Sequence, residues 1–147
     1  MANPNLKPSD RAVIAAVIDP VSSSTAKSSG WVSMATFHDI QAIIQVGAIG
    51  ASATVDAKLE QAKDGSGTGA KDITGKAITQ LTKTGTDDNK QAVINCWADE
   101  LDVNNGFTHV RLTITPAVAA SLIAGMILGH DARYQPASAA ATVDEVV

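Results

Sequence analysis

Aromatic side chains are scarce in this sequence: they make up 3% of its 147 residues, although 45% of the residues are hydrophobic. The core must therefore be built mainly from alanine, valine, isoleucine and leucine. Ligand pockets are often lined by aromatic side chains, so this composition does not favour such a pocket. A chain of this length fits one domain, which buries about 68–70% of its unfolded surface without needing disulfides or metals.

Cysteine and basic residues are also few. Cys96 is the single cysteine, so neither an intrachain disulfide nor a thiolate metal cluster can form, and its apolar neighbours predict a buried side chain. The 11 basic residues are scattered, and with 15 acidic ones they give a formal net charge of −4. This balance predicts no nucleic-acid partner and no anionic membrane surface, because both need clustered Lys and Arg.

Long apolar runs are missing as well. The longest apolar stretch, 117–129, is shorter than the ~20 residues that a membrane-spanning helix needs. The first ten residues, MANPNLKPSD, lack the apolar segment of a signal peptide. We therefore expect a soluble protein that is synthesised in a cytoplasm and is not secreted.

Common catalytic and metal-binding patterns do not occur. The chain has no G-x-S-x-G nucleophile motif, and the acids near its turns do not follow the EF-hand pattern. Its histidines have no second histidine, cysteine or carboxylate pair at metal-ligand spacing. The sequence therefore predicts a protein that is not an enzyme, with no catalytic residue, cofactor or metal. The three histidines are His38, His109 and His130.

The segment 65–79, GSGTGAKDITGKAIT, partly matches two nucleotide-binding motifs. Its first half fits G-x-G-x-x-A, but a Thr- and Ile-rich stretch follows instead of the helix that a dinucleotide site needs. In its second half, five residues separate Gly69 from Gly75 where a P-loop has four, and Ala77 replaces the hydroxyl residue that holds Mg²⁺. We therefore expect a flexible hairpin loop in which glycine supplies positive φ.

Alternation of apolar and polar residues is the clearest positive signal. It occurs in 40–46 and in FTHVRLTITP (107–116), and it predicts half-buried strands. QAVINCWA (91–98) also indicates a strand. The apolar stretch AVAASLIAGMILGHDARY (117–134) favours a strand over a helix because it contains two spaced glycines.

Two further segments matter for the fold. RAVIAAVID (11–19) is a strand candidate that we expect to end at Pro20, before a Ser-rich loop (21–30) that is too polar for the core. SATVDAKLEQAKD (52–64) fits a strand and a helix equally well. About seven or eight short strand candidates in all indicate a single β-sandwich or barrel at 11–134.

Large aromatic side chains are the first candidates for contact with a partner, because Trp and Tyr are enriched at the energetic centres of interfaces. Trp31 and Tyr134 are assigned to this group. Trp97 and Phe107 are expected in the core instead.

Charged residues complete the candidate interface. Arg111 and His109 fall on the polar face of their strand, and we expect Arg111 to bond to a carboxylate or to a partner chain. Lys71 and Asp72 lie at the edge of the glycine loop, which we expect to contact a neighbouring subunit. The predicted interface residues are Trp31, Lys71, Asp72, His109, Arg111 and Tyr134.

The stretch from Phe37 to Pro136 resembles the small jelly-roll cement, or decoration, proteins of tailed-bacteriophage capsids. The features that carry the resemblance are the strand DIQAIIQV, then ASATVDAKLEQAKD with its Gly/Ser loop, and then DITGKAI. The pattern FTHVRLTITP and an Ala/Gly-rich last strand follow. The longer Ser-rich loop at 21–30 departs from the family pattern.

The resemblance implies an all-β, jelly-roll-like antiparallel β-sandwich with extended N- and C-terminal arms at 1–10 and 135–147, which would clasp neighbours. It also implies that ATVDAKLEQ (53–61) is a strand. The implied function is a structural virion protein that binds the major capsid protein and itself on the outer capsid surface. The alternatives are another virion β-module, such as a neck or tail-tube subunit, and a carbohydrate-binding adhesion module.

Overall fold

The computed structural model describes residues 5–147, which form an antiparallel β-sandwich. One four-residue helix, α1 (Pro8–Arg11), precedes the strands, and two short 3-10 helices (Ala98–Glu100 and Val103–Asn105) follow the eighth strand. No helix among the described residues is long and apolar enough to cross a membrane. The strands are β1 (Ala12–Ser23), β2 (Lys27–Ser28), β3 (Val32–Ser33), β4 (Phe37–Val46), β5 (Thr54–Ala62), β6 (Lys71–Ala77), β7 (Leu81–Thr82), β8 (Gln91–Trp97), β9 (His109–Ala117) and β10 (Ser121–Ala132).

Two sheets face each other. The four-stranded sheet has the order β1-β10-β4-β8, and the six-stranded sheet has the path β2-β9-β5-β6, with β3 paired to β9 and β7 paired to β5. The pairing within both sheets is antiparallel. The predicted all-β sandwich is therefore confirmed.

The core lies between the inner faces of the two sheets, and the alternating segments supply it as predicted. Ile40, Ala42, Ile44 and Val46 of β4 are each at most 1% exposed. Their outward neighbours are partly or fully exposed. The ambiguous segment 52–64 contains a strand, β5, whose inward side chains are Val55, Ala57 and Leu59.

The predicted end of the first strand is wrong. β1 runs through Pro20 to Ser23, with shifts of register against β10 on both sides of Ile18. A proline without a donor is tolerated there because β1 is an edge strand. The Ser-rich run is also not excluded from the interior: the hydroxyl of buried Ser29 accepts a hydrogen bond from the backbone N–H of Leu112 at 3.0 Å, which satisfies its polar group.

The predicted arms lie only partly within the described residues, because 1–4 fall outside them. Within 5–10, the chain begins helix α1. The C-terminal segment 135–147 forms no helix or strand, but Ala140 donates its backbone N–H to the carbonyl of Ile14 in β1 at 2.8 Å. That hydrogen bond holds part of the C-terminal arm on the arm's own domain.

Candidate interaction surfaces

The glycine loop between β5 and β6 is a hydrogen-bonded turn. Asp64 Oδ1 accepts hydrogen bonds from the backbone N–H groups of Ser66 at 2.9 Å and Thr68 at 3.1 Å. Hydrogen bonding from the Thr68 side chain, and then from the Thr68 and Ser66 backbone N–H groups, lowers the pKa of Asp64. Gly67 and Gly69 have φ of 85° and 68°, where glycine avoids the strain of a side chain.

The elements beside this loop do not fit either nucleotide motif. An antiparallel strand enters the loop and another leaves it, whereas both motifs need a strand that leads into a helix. The loop instead covers Trp31: a Cβ built on Gly67 would lie 3.0 Å from Nε1 of that indole. The glycines therefore allow the hairpin to approach a side chain of the same domain closely.

A network of charged side chains covers the outer face of the six-stranded sheet. Arg111 Nε donates to Glu60 Oε2 at 2.6 Å, and Thr113 Oγ1 donates to the same oxygen at 2.9 Å. Lys58 Nζ lies 2.7 Å from Asp72 Oδ1 and 3.6 Å from Glu60 Oε1. The expectation that Arg111 bonds to a carboxylate is met within the chain.

The pKa of Glu60 reports the balance of forces in this network. Burial alone would raise the pKa, but the hydrogen bonds from Arg111 and Thr113 and the positive charges of Arg111 and Lys58 outweigh it. The net effect is a pKa below the ordinary value of glutamate. Glu60 is therefore held ionised by its own neighbours.

Two predicted interface residues stand beside this network. Trp31 is partly buried, and its ring lies under the Arg111 guanidinium, 4.6 Å from the ring centroid to Cζ. His109 lies two residues before Arg111, and its Nδ1 is 2.9 Å from Thr108 Oγ1. Together with Asp72, these residues form one continuous patch on the sheet.

Lys71 lies at the adjacent end of the sheet. Its Nζ is 2.5 Å from Asp102 Oδ2 and 4.2 Å from the centroid of the Phe107 ring. Phe107 is 6% exposed, as the sequence predicts. Tyr134 does not join these residues, since it follows β10 and is 88% exposed.

The expectation that Trp97 lies in the core is wrong. In β8 the inward positions are Ile94 and Cys96, so the odd-numbered Val93 and Trp97 point outward and are 52% and 55% exposed. The predicted burial of Cys96 was the signal that could have placed Trp97 outside, because neighbours in a strand face opposite ways. Cys96 itself is buried, and this burial is the main cause that raises its pKa to about 12.

An open groove of about 650 Å³ lies beside Trp97. Asp39 is the direct neighbour of Trp97 across the β4–β8 ladder. Burial is the largest cause that raises the pKa of Asp39, and the charge of Asp131 adds to it. The polar and charged side chains of the lining are Arg11, Asp39, Gln41, Asn95, His130 and Asp131.

The outer face of the four-stranded sheet is more apolar than that of the six-stranded sheet. Val17 pairs with Met126, Met126 with Ile43, and Ile43 with Val93, which gives one apolar side chain from each strand in a continuous line. We call this line the apolar row. Leu122, farther along β10 on the same face, is 49% exposed.

Known proteins supply no assignment for these surfaces. Neither protein-family models, nor curated proteins, nor solved structures yielded a match to the chain. Among residues 5–147, no three His, Cys, Asp or Glu side chains come together in a way that could hold a metal ion.

Proposed function

We propose that this protein is a structural, non-catalytic virion protein that decorates the outer surface of a phage capsid and bridges copies of the major capsid protein. The observation that carries the proposal is the difference between the two sheet faces. One face is a charged network whose groups already have partners. The other carries the apolar row, in which Val93 is 52% exposed and the remaining three side chains are half-buried, together with Leu122, which is 49% exposed.

The strand order supports the jelly-roll interpretation on which the proposal depends. If β2 with β3 and β6 with β7 are each counted as one strand, the eight strands form two four-stranded sheets, and the chain changes sheet after every strand except at the β5–β6 hairpin. The first and last strands are then neighbours in one sheet, and the second and second-to-last are neighbours in the other. Double-sheet jelly rolls of eight strands occur in viral capsid proteins and in lectins.

The outer face of the four-stranded sheet is the surface that we assign to the capsid shell. Exposed apolar area next to polar residues marks protein interaction sites, and burial of such area is the main source of association energy. The network around Arg111 would lose solvation without gaining new ion-pair partners, because Glu60 already accepts its hydrogen bond. This difference favours the apolar row as the contact surface.

A modest contact per copy suffices for this function. Many copies on a symmetric shell act together, and copies that also contact one another gain effective concentration. Shell cohesion then increases in proportion to the number of capsomers bridged. The virion surface is the proposed location, and the major capsid protein and further copies of this chain are the proposed partners.

The test is binding of the purified protein to capsids of the phage that encodes it, prepared without the protein. We expect co-sedimentation and added density on the outer shell by cryo-electron microscopy. Leu122→Asp should abolish binding, whereas Thr74→Asp, which adds the same charge at an exposed site on β6, should not. The protein's absence from purified particles would contradict the proposal, and a single ring of copies would favour a neck or tail-tube subunit.

Trp97 favours a second candidate, an adhesion module that binds carbohydrate. Its exposed ring stands beside Asp39, and Asn95 and Gln41 lie next along the same face of the ladder. An aromatic platform with hydrogen-bonding side chains at its edge suits a saccharide ring. Glycan-array binding that is lost in Trp97→Ala and kept in Tyr134→Ala would support this function, and absence of binding by the wild type would exclude it.

A further inference from the structure

Most exposed strand edges in residues 5–147 carry features that prevent further pairing. β1 contains Pro20 and two register irregularities, and Ala140 of the C-terminal segment bonds to it. β6 carries Lys71, Asp72 and a register shift against β5. β2 and β3 are two residues long each. Short strands, charges, prolines and bulges are the usual means by which proteins block pairing at an edge.

The outer edge of β8 has none of these features. Its register against β4 runs from Gln91 to Trp97 without a shift, and its sequence, QAVINCW, contains no proline and no charged residue. The strand ends where the backbone N–H of Trp97 donates to Glu100 Oε2 at 2.8 Å. β8 therefore presents an uninterrupted, uncharged edge.

The hydrogen-bond pattern identifies which backbone groups face outward. Val46 donates to the carbonyl of Lys90 at 3.0 Å, so even-numbered residues of β8 exchange hydrogen bonds with β4. The N–H and C=O groups of Val93 and Asn95 then point away from β4. These groups are arranged to receive another antiparallel strand.

We propose that β8 pairs with β8 of a second copy of this chain about a two-fold axis at Val93. In this register Val93 lies opposite Val93 of the second copy, and Gln91 lies opposite Asn95. Each hydrogen-bonded pair of an antiparallel ladder exchanges two N–H···O bonds. The two four-stranded sheets become one continuous eight-stranded sheet.

A second copy fits this edge better than an arbitrary strand, because the edge is self-complementary. Val93 meets an identical apolar side chain, and the amide side chains of Gln91 and Asn95 meet each other. The apolar row of one copy continues directly into that of the other.

The proposal concerns the isolated protein and does not depend on capsid binding. Sedimentation equilibrium of the purified full chain should give twice the single-chain mass of 15.1 kDa in the micromolar range. A single-chain mass across that range would overturn the proposal. Capsid binding by a protein that stays monomeric would leave the proposed function standing and refute only the pairing.

Two charge variants test the register. Val93→Lys and Val93→Glu each place like charges opposite one another at the axis, which is destabilising, so each variant alone should be monomeric. An equimolar mixture should recover the dimer, because Lys then faces Glu. Val93 is 52% exposed, so both variants should keep the wild-type circular dichroism spectrum.

Leu122→Lys is the matched control, since it adds a charge on the same sheet face at a position that is 49% exposed and lies outside β8. It should remain dimeric. A dimer that persists in Val93→Lys alone, or a mixture that stays monomeric while both variants are folded, would overturn the pairing about Val93.

Discussion

Gly129→Ala tests how closely β10 packs against Phe37. A Cβ at this position would lie 2.3 Å from Cε1 and 2.4 Å from Cζ of the Phe37 ring, which is 4% exposed. The ring or the strand must move, and such overpacking typically costs about 1–3 kcal/mol. Alanine regains roughly 0.5–1 kcal/mol because it is less flexible than glycine in the unfolded chain. We expect a net loss of about 1–2 kcal/mol in the free energy of unfolding.

Urea unfolding followed by tryptophan fluorescence measures this loss, and the melting temperature should fall by about 2–4 °C per kcal/mol. Gly30→Ala is the control, because its Cβ would meet no atom within 4 Å; its stability should change by less than about 0.5 kcal/mol or rise slightly. Adding Phe37→Leu to Gly129→Ala should make the combined loss smaller than the sum of the two single losses. Equal stability of Gly129→Ala and Gly30→Ala, or strict additivity with Phe37→Leu, would refute the reasoning.

Three other predictions concern the network, the thiol and the glycine loop. The pKa of Glu60 is lower in the folded protein than in the unfolded chain, where it is about 4.3, so ionised Glu60 stabilises the fold above that pH. This stabilisation is lost as the pH falls through the folded pKa. The free energy of unfolding, measured with urea at a series of acid pH values, should therefore decrease less in Glu60→Gln than in the wild type. Native Cys96 should react with a thiol reagent at pH 8 roughly a thousandfold more slowly than the urea-unfolded chain; equal rates would contradict its burial. Gly67→Ala should lower the free energy of unfolding by about 1 kcal/mol and should also shift the wavelength of the Trp31 fluorescence emission. Gly75 is also at positive φ but has no atom near its Cβ, so Gly75→Ala should lower the free energy of unfolding by a similar amount without shifting the emission.

The strands were the predictable part of this fold. Alternation marks a strand directly, because inward and outward positions differ in their exposure to water. It therefore located β4 and β9, and the spaced glycines at 125 and 129 correctly favoured a strand for β10. The strand β5 needed the family resemblance, since its helix and strand periodicities are equally good.

The two errors have different origins. Pro20 can end a central strand, but β1 is an edge, where its missing N–H removes no ladder bond. Trp97 was assigned to the core by residue type alone, and type does not say which face of a strand is covered. Local sequence does not say that β1 is an edge strand, whereas the burial predicted for Cys96 could have placed its neighbour Trp97 on the outer face.

The candidate surface was predicted as a set of residues but not as a network. Arg111 and Glu60 are 51 positions apart and become partners only because β9 pairs with β5 in one register. A prediction that Arg111 bonds to some carboxylate was possible, whereas the identity of that carboxylate was not. Because Arg111 already bonds to Glu60, it is less available to bind another protein, which makes the patch around Arg111 a weaker candidate for an interface.

The glycine loop contacts the charged network through Trp31. Its positive φ angles close the β5–β6 hairpin, and Gly67 leaves room for the hairpin to lie on Trp31, which in turn lies under Arg111. A side chain at position 67 would press on the indole and, through it, on the ion pair with Glu60. The glycines that resemble a phosphate site therefore have a sufficient explanation in packing on the six-stranded sheet.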